Sequence, residues 1–415
     1  MKVKFYTLGC KVNQYETEAL KKDFTSSGFE LTDGLADLYV INTCSVTAKA
    51  DSGSRKLLAK IKEAYPQAKV AVCGCWVKEN KESIEKLGAD FIVSQEDKQS
   101  LVDIVKGKNP SKDGIWKLNL DKCSNQRAFL KIQDGCDNFC AYCKVPYLRG
   151  KSCSRDKNEI IAEAKRLSEK HTEIVLCGIN LGLYGKDLTP KNSLVNLLNE
   201  LLTLSSLGRL RLSSLEPSSI NDEVITLFNH PKMCPHLHLP FQSGDDGVLK
   251  AMNKKERVEE YRQIVAKLRK QDPDIAISCD LIVGFPDEKE SNFKNTLSFI
   301  QEIKPMRMHI FTFSPREMTK FSGQKINNKK AVERYGLIKK LADRFSLEYK
   351  TKFTGKTLNV VAEENSEGFF SGYSENYIKV KFKMNNNFSK NKIIGQIIPV
   401  YIENVITGAL SGVAL

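Results

Sequence analysis

The sequence predicts an α/β protein in three parts: an N-terminal parallel-sheet α/β domain over residues 1–122, a partial (β/α) barrel over 123–350, and a small antiparallel β-barrel over 351–415. Three observations carry that expectation. Strand-like and helix-like segments alternate through the first two parts, which is the rhythm of parallel sheets joined by crossover helices. The last part changes to short alternating strands separated by Gly and Asn turns. A chain of 415 residues also exceeds what one ordinary hydrophobic core organises.

In the first part KVKFYTL, LYVINTC, KVAVCGC and DFIVS read as strands, with helices over Asn13 to Ser27, Ser52 to Ala64 and Lys78 to Leu87 between them. Ligands collect at the carboxyl ends of strands in open α/β sheets. Cys10, Cys44 and Cys75 each fall just after a strand, so three separate elements deliver one cysteine each to one edge. Cys73 competes with Cys75 in KVAVCGCW; it lies within the strand, whereas Cys75 follows Gly74 at its end, which favours Cys75. The polar stretch from Lys106 to Asn125, with its GKNPSKDG cluster, reads as a linker.

The second part supplies six strands, RAFLKIQ, EIVLCG, RLRLSSL, HLHLP, IAISCDLIVGF and MRMHIFTF, separated by helices. Six such alternations make a full or partial barrel whose active site lies at the strand C-termini. A Lys-rich helix from Asn327 to Lys352 closes it. In the third part LNVVAEE, GFFSGYS, YIKVKFK, QIIPVYIENV and GALSGVAL are the short strands. Alternation there puts Lys379, Lys381 and Lys383 on one face together with Tyr377, while Val380 and Phe382 point to the core. That basic stripe is a candidate RNA-binding surface.

Composition narrows the class. A hydrophobic fraction of 41% and a charged fraction of 27% are ordinary for a soluble globular protein. No apolar run is long enough to span a bilayer, and the charged N-terminus, broken by Gly9, is no signal peptide. A cytoplasmic protein without membrane contact is expected. The net charge of +14 points to a polyanionic partner. Of that surplus, +3 falls on residues 1–122 and +2 on residues 351–415, so +9 lies on the middle part.

Twelve cysteines in a reducing compartment indicate metal or redox use rather than disulfides. Cys123, Cys153, Cys177, Cys234 and Cys279 have no partner spacing or lie in apolar strands, and read as small buried hydrophobes. GCDNFCAYC differs: Cys136, Cys140 and Cys143 stand at C-x₃-C-x₂-C on a loop directly after a strand. Cysteine thiolates are the ligands of iron–sulfur clusters. Three of them hold three irons of a cubane and leave the fourth open to bind a substrate or cofactor. A zinc site would want a fourth ligand, and no Cys or His stands at suitable spacing.

The C-x₃-C-x-Φ-C pattern, with Tyr142 in the aromatic slot, resembles the radical S-adenosylmethionine superfamily. The blocks GCKVNQYE, NTCSVT, GCDNFCAYCKVPYLRG, LSSLEPSSI, HLHLPFQSGDDGVLKAMNK and DLIVGFPDE extend the resemblance across nearly the whole chain to the methylthiotransferases. The resemblance implies two [4Fe–4S] clusters, one on Cys136, Cys140 and Cys143 and the other on Cys10, Cys44 and Cys75. It also implies a C-terminal barrel like the TRAM RNA-binding module. S-adenosylmethionine is the implied cofactor; one molecule methylates a sulfur on the N-terminal cluster, and a second yields the radical that activates C2 of adenosine 37 beside the anticodon. The opening GCKVNQYE resembles the branch acting on N6-threonylcarbamoyladenosine in the tRNA anticodon loop. An electron donor such as flavodoxin or ferredoxin is implied as well. Tyr142, Gly178, Asn180, Glu216, Gln242 and Ser243 are placed to meet parts of S-adenosylmethionine, and Arg149 to pair with its carboxylate. Asp280 either organises the GFP turn or touches a ligand.

Two departures bear on the substrate pocket. The family's GC-aromatic-A-Q becomes GCWVK, with Val77 and Lys78 substituted. Its Y-S-x-R-x-G-T-x-A becomes FSPREMTKF, with Met318 and Phe321 in place of small residues. Other readings are a methylthiotransferase acting on isopentenyladenosine 37 or on a ribosomal-protein aspartate, and a non-enzymatic iron–sulfur RNA-binding sensor.

Overall fold

Five parallel strands form the N-terminal sheet: β1 (Lys2–Thr7), β2 (Glu30–Leu31), β3 (Leu38–Thr43), β4 (Lys69–Gly74) and β5 (Phe91–Val93), in the order β2-β1-β3-β4-β5. The computed structural model describes residues 1–110, 116, 118–384 and 393–415. Every residue of β3 is buried, as expected of a central parallel strand covered on both faces. The helices α1 (Lys11–Ser26), α2 (Ala48–Ala64) and α3 (Val77–Lys86) follow their strands. α2 starts four residues before the expected Ser52 because the Thr47 hydroxyl caps it, accepting from Ala50 N.

The expected linker is only partly a linker. Residues 111–115 and 117 lie outside the described residues, but Leu118 and Leu120 are buried in the main core. Tyr15 Oη donates to Leu118 O at 3.2 Å, and Leu120 N donates to the Glu163 carboxylate at 3.0 Å. The polar composition around Lys106 hid two leucines that tie the first sheet to the second.

The second unit contains β6 (Ala128–Lys131), β7 (Glu173–Cys177), β8 (Arg209–Leu212), β9 (His236–Gln242), β10 (Ala276–Val283) and β11 (Arg307–Thr312). They run as two parallel triplets, β8-β7-β6 and β9-β10-β11, joined by parallel bridges at Leu210–Met233 and Ser214–His238. The result is a six-stranded partial barrel, and the long helix α5 (Asn328–Thr351) packs on β11; a short helix, α4 (Val145–Arg149), follows the cysteine loop.

The C-terminal strands β12 (Thr357–Ser366), β13 (Phe369–Ser374), β14 (Lys379–Met384), β15 (Ile397–Ile406) and β16 (Ala409–Ala414) close into a barrel in the order β12-β13-β14-β16-β15. It is not wholly antiparallel. β14 and β16 pair in parallel, from Val380–Leu410 to Met384–Ala414. An odd number of strands cannot alternate in direction around a closed ring, so five strands force one parallel pair.

This barrel docks on the N-terminal ends of the half-barrel strands. Glu173, the first residue of β7, is buried between Arg209 at 2.5 Å, Arg211 at 2.7 Å and Arg127 at 3.7 Å. The same arginines reach across the seam: Arg209 donates to Asn359 O and Tyr373 O, and Arg211 to Ser374 O and Glu375 O. Tyr377 lies in this seam rather than on the lysine face. It leaves the strand at φ +64 and its ring is covered by the guanidiniums of Arg127, Arg211 and Arg307, at 5.4, 4.8 and 4.9 Å. Period-two alternation fails at Tyr377 because β14 begins two residues later. Glu173→Gln removes the carboxylate that compensates the buried guanidiniums of Arg209 and Arg211, Arg127 keeping Glu363 at 2.6 Å, and is expected to cost about 3–5 kcal/mol. Urea denaturation should show the lower midpoint; an unchanged midpoint would contradict the clamp.

Candidate active site: two cysteine trios beside one cleft

Glycines build the N-terminal trio. Gly9 and Gly74 take φ +107 and +101, in the left-handed region that side chains rarely adopt. A Cβ on Gly9 would lie 2.7 Å from Cys44 Cβ, and one on Gly74 would lie 2.5 Å from Thr43 O. The two Gly-Cys doublets thus let the ends of β1 and β4 close on the end of β3. Cys75 N donates to Thr43 O at 3.3 Å, and Cys10 and Cys75 are the thiols that act on Cys44. Burial pushes the Cys44 thiol up to about 11. Cys73 is wholly buried in β4, where Lys98 and Glu16 are its charged neighbours.

The second trio sits on the loop after β6, at the opposite end of the half-barrel from the docked β-barrel. Gly135 starts the loop at φ +68, and a Cβ there would meet Lys151 O at 1.9 Å. Cys136 N donates to Gly150 O and Cys143 N to Cys140 O. The turn after helix Asp246–Ala251 clamps the loop, with Ala141 N donating to Met252 O and Asn253 Nδ2 to Phe139 O. Asn180 Nδ2 lies 3.7 Å from Cys136 Sγ. Burial pushes Cys140 up to about 11 and Cys143 to about 12, with the Lys254 cation opposing it at Cys140. Lys254 is itself buried and ion-paired to Glu216.

Both trios fit a multi-iron group better than a single ion. Tetrahedral zinc, with Zn–S near 2.3 Å, would hold its thiolates about 3.8 Å apart. Among the described residues, His238, Asp280 and His309 form the one group of three donors lying within 4.8 Å of one another; neither cysteine trio is so tight. Thiols raised by burial as Cys44, Cys140 and Cys143 are form thiolates only against a strong local positive charge, which bound iron supplies.

A cleft of about 430 Å³ joins the two halves of the site. Val46–Lys49, the residues just past Cys44, line it from the N-terminal unit; Tyr142, Cys143 and Lys144 line it from the cysteine loop. Gln242, Asp280 and Ile282 face it from the strand C-termini, and Ile310–Ser314, Arg316 and Tyr335 complete it. Lys144 and Arg316 bind across the units: Lys144 pairs with Glu79, and Arg316 with Asp51.

Comparison with known proteins agrees with this architecture. Residues 2–94 match the model of uncharacterized protein family UPF0004, and residues 130–300 that of the radical SAM superfamily. The threonylcarbamoyladenosine tRNA methylthiotransferase MtaB of Thermotoga maritima is 35% identical, with 92% of this chain and 91% of that protein aligned. The protein of the same name from Bacillus subtilis is 36% identical, over 96% of this chain and 93% of its own length. The chain belongs to the radical S-adenosylmethionine methylthiotransferase family. The tRNA-2-methylthio-N(6)-dimethylallyladenosine synthase of Acetivibrio thermocellus is 30% identical, over 98% of this chain and 89% of its own. The structure of the radical S-adenosylmethionine methyltransferase TsrM from Kitasatospora setae shares the fold, with a TM-score of 0.57 at 13% identity over 89% of this chain and 80% of that one.

Within this methylthiotransferase several of the candidate residues lie at the cysteine loop or the cleft. Tyr142 is half-buried beside Cys140 in the cysteine loop and lines the cleft, as does Gln242 at φ +65. Gly178 packs against Gln133, whose Oε1 accepts from Asn180 N. Three do otherwise. Arg149 is not available to a cofactor carboxylate: it is buried and held by Asp134, Glu16 and Asn13 at 2.7 to 3.3 Å. Ser243 faces helix Glu290–Ile303, its Oγ 3.2 Å from Thr296 Oγ1. Asp280 does not organise the GFP turn; His238 and His309 hold it at 3.2 and 3.1 Å. Sequence reasoning missed Lys254, Lys144 and Arg316. The signal was present in AMNKK, in the lysine after the third cysteine, and in FSPRE, because a lysine or arginine beside an apolar motif is costly to bury unpaired.

None of the four departing residues lines the cleft, and one of them, Phe321, backs its wall at Phe313. Phe321 packs edge-on against Phe285 and Phe313, and Met318 is exposed. Met318 has φ +65, the backbone conformation that explains a glycine at that place in the family pattern. Val77 is buried against the N-terminal core, and Lys78 is exposed at the start of α3.

Proposed function

We propose that this chain inserts a methylthio group at C2 of N6-threonylcarbamoyladenosine 37 in the tRNA anticodon loop, giving 2-methylthio-N6-threonylcarbamoyladenosine. The observation that carries this reading is the shared cleft: one wall follows Cys44 and the facing wall contains Cys143. A nucleobase entering there lies against Cys143 and against the segment that directly follows Cys44. Relatives named for the threonylcarbamoyl nucleoside are 35% and 36% identical, against 30% for a dimethylallyl one, which supports the nucleoside.

On this reading Cys136, Cys140 and Cys143 hold one [4Fe–4S] cluster and S-adenosylmethionine, and Cys10, Cys44 and Cys75 hold the other. When bound, these groups supply the sulfur and the one-electron chemistry that an unactivated aromatic C–H demands. The chain's own residues orient and enclose them. Asn180 donates toward Cys136, and the Lys254–Glu216 pair keeps a cation beside Cys140. Gln242 presents its amide at the end of β9, and Lys144 closes the wall between the two units. The division at residues 122 and 350, a cytoplasmic location, and an electron donor such as flavodoxin or ferredoxin belong to the same reading. Among the described residues no helix is long and apolar enough to cross a membrane.

Lys381 and Lys383 are exposed and offer charge to RNA phosphates; Lys379 is half-buried beside Glu364. Nucleoside mass spectrometry of tRNA from a host with and without the gene tests the function. Loss of the 2-methylthio form of threonylcarbamoyladenosine is expected. Loss from the isopentenyl nucleoside instead would reassign the substrate, and an unchanged tRNA profile with a changed ribosomal protein would reject tRNA altogether.

A further inference from the structure

We propose that Lys49 forms a carboxylate subsite in the cleft and reads the threonyl carboxylate of the substrate nucleoside. The inference rests on the function proposed above and adds the residue that distinguishes an anionic side chain from an apolar one. Three cations line the cleft, Lys49, Lys144 and Arg316. Lys144 is buried and paired to Glu79, with Asp51 at 3.8 Å. Arg316 is committed to Asp51 and to Ser45 O. These two cations thus face two carboxylates and balance them. Lys49 is exposed, and among the described residues it has no ion pair.

The remaining acid of the cleft, Asp280, is occupied by His238 and His309, so no free carboxylate opposes Lys49. Ile282, Ile310 and Phe313 give the walls apolar stretches between neutral polar groups such as Thr47, Thr312 and Ser314. A side chain ending in a carboxylate would be desolvated among them, and one unpaired ammonium makes that tolerable. Arg316 adds a second donor, because its Nε is buried and makes no hydrogen bond. An uncharged dimethylallyl group needs neither. The volume, about 430 Å³, suits a base with its substituent.

Position explains the register. Lys49 is the second residue of α2, five residues past Cys44, so the N-terminal unit brings the cysteine and the reader of the substituent on one segment. The adenine ring spans between them, with C2 and the N6 substituent at different places on its edge.

The test measures binding of anticodon stem-loops to the iron-loaded full-length enzyme. Three loops are compared: one carrying threonylcarbamoyladenosine, one carrying its methyl ester, and one carrying plain adenosine. Lys49→Gln is expected to weaken binding of the first loop about tenfold, the size of one charge-assisted contact, and to leave the other two unchanged. Lys49→Arg is expected to restore most of the loss. An equal loss for all three loops would place Lys49 on the phosphate backbone and overturn the assignment. No loss for any loop would overturn it equally. A wild-type enzyme that binds selectively but never methylthiolates the first loop would instead defeat the functional reading, leaving the carboxylate subsite standing.

Discussion

Cys75→Ala is expected to leave about four iron atoms per chain in place of about eight, and to abolish methylthio transfer, while Cys73→Ala keeps both. The two thiols are two residues apart, yet their surroundings differ. Cys75 lies beyond Gly74, whose left-handed backbone turns the chain toward Thr43 and Cys44. Cys73 points into the core, where burial pushes its thiol up to about 11 against the opposing pull of Lys98. A ligand thiolate there would need a core rearrangement. Cys143→Ala should likewise halve the iron and stop formation of 5′-deoxyadenosine. Iron assay with electron paramagnetic resonance separates the cases. Retention of both clusters in Cys75→Ala, with loss in Cys73→Ala, would reverse the assignment.

Glu16→Gln is expected to destabilise the protein by about 3–5 kcal/mol at neutral pH, the cost of stranding buried charge. Glu16 is buried between Lys98 at 2.7 Å, Lys131 at 2.8 Å and Arg149 at 3.1 Å. Asp134 is the other acid of the group, bound to Lys131 at 2.6 Å and Arg149 at 2.9 Å. Neutralising Glu16 would leave three buried cations facing one anion. Burial alone would raise the Glu16 carboxyl, but Arg149, Lys131 and Lys98 hold it well below the usual carboxylate range. A carboxyl depressed in the fold stabilises it above the unfolded value of about 4.3, and that contribution fades as pH falls below it. Urea midpoints of wild type and variant should therefore differ most near pH 7 and converge below about pH 4. A difference constant from pH 7 to pH 3 would show that packing, not charge, carries the effect.

This network also decides how the two cysteine sites face each other. Asn13 donates to Leu8 O and Thr43 O, bracing the Cys10 and Cys44 ends, and accepts from Arg149 Nη2. Arg149 ends the helix after Cys143, and Asp134 precedes Cys136. The opening block GCKVNQYE thus contains a ligand candidate, the asparagine that braces it, and the glutamate that anchors the second unit. Its asparagine and glutamate read as family signature in the sequence; the structure shows them as the joint between two domains.

What the sequence by itself determined is everything that depends on local pattern. Periodicity placed the strands and helices of both α/β units, and strand ends placed the six cysteines, because side-chain direction and burial in a parallel sheet follow from short-range repeats. Gly9 and Gly74 marked the turns that their φ values require. The tertiary structure alone decided which charges meet. Arg149 looked free to grip a cofactor and is instead locked to Glu16 across 133 residues of chain; Tyr377 looked like part of a basic RNA face and instead fills a cage of arginines at the far end of the half-barrel. Lys49, an unremarkable residue in sequence, is the cation that the other pairings leave unclaimed. Ion pairing couples residues without regard to sequence separation, and burial sets its strength, so no local pattern encodes it.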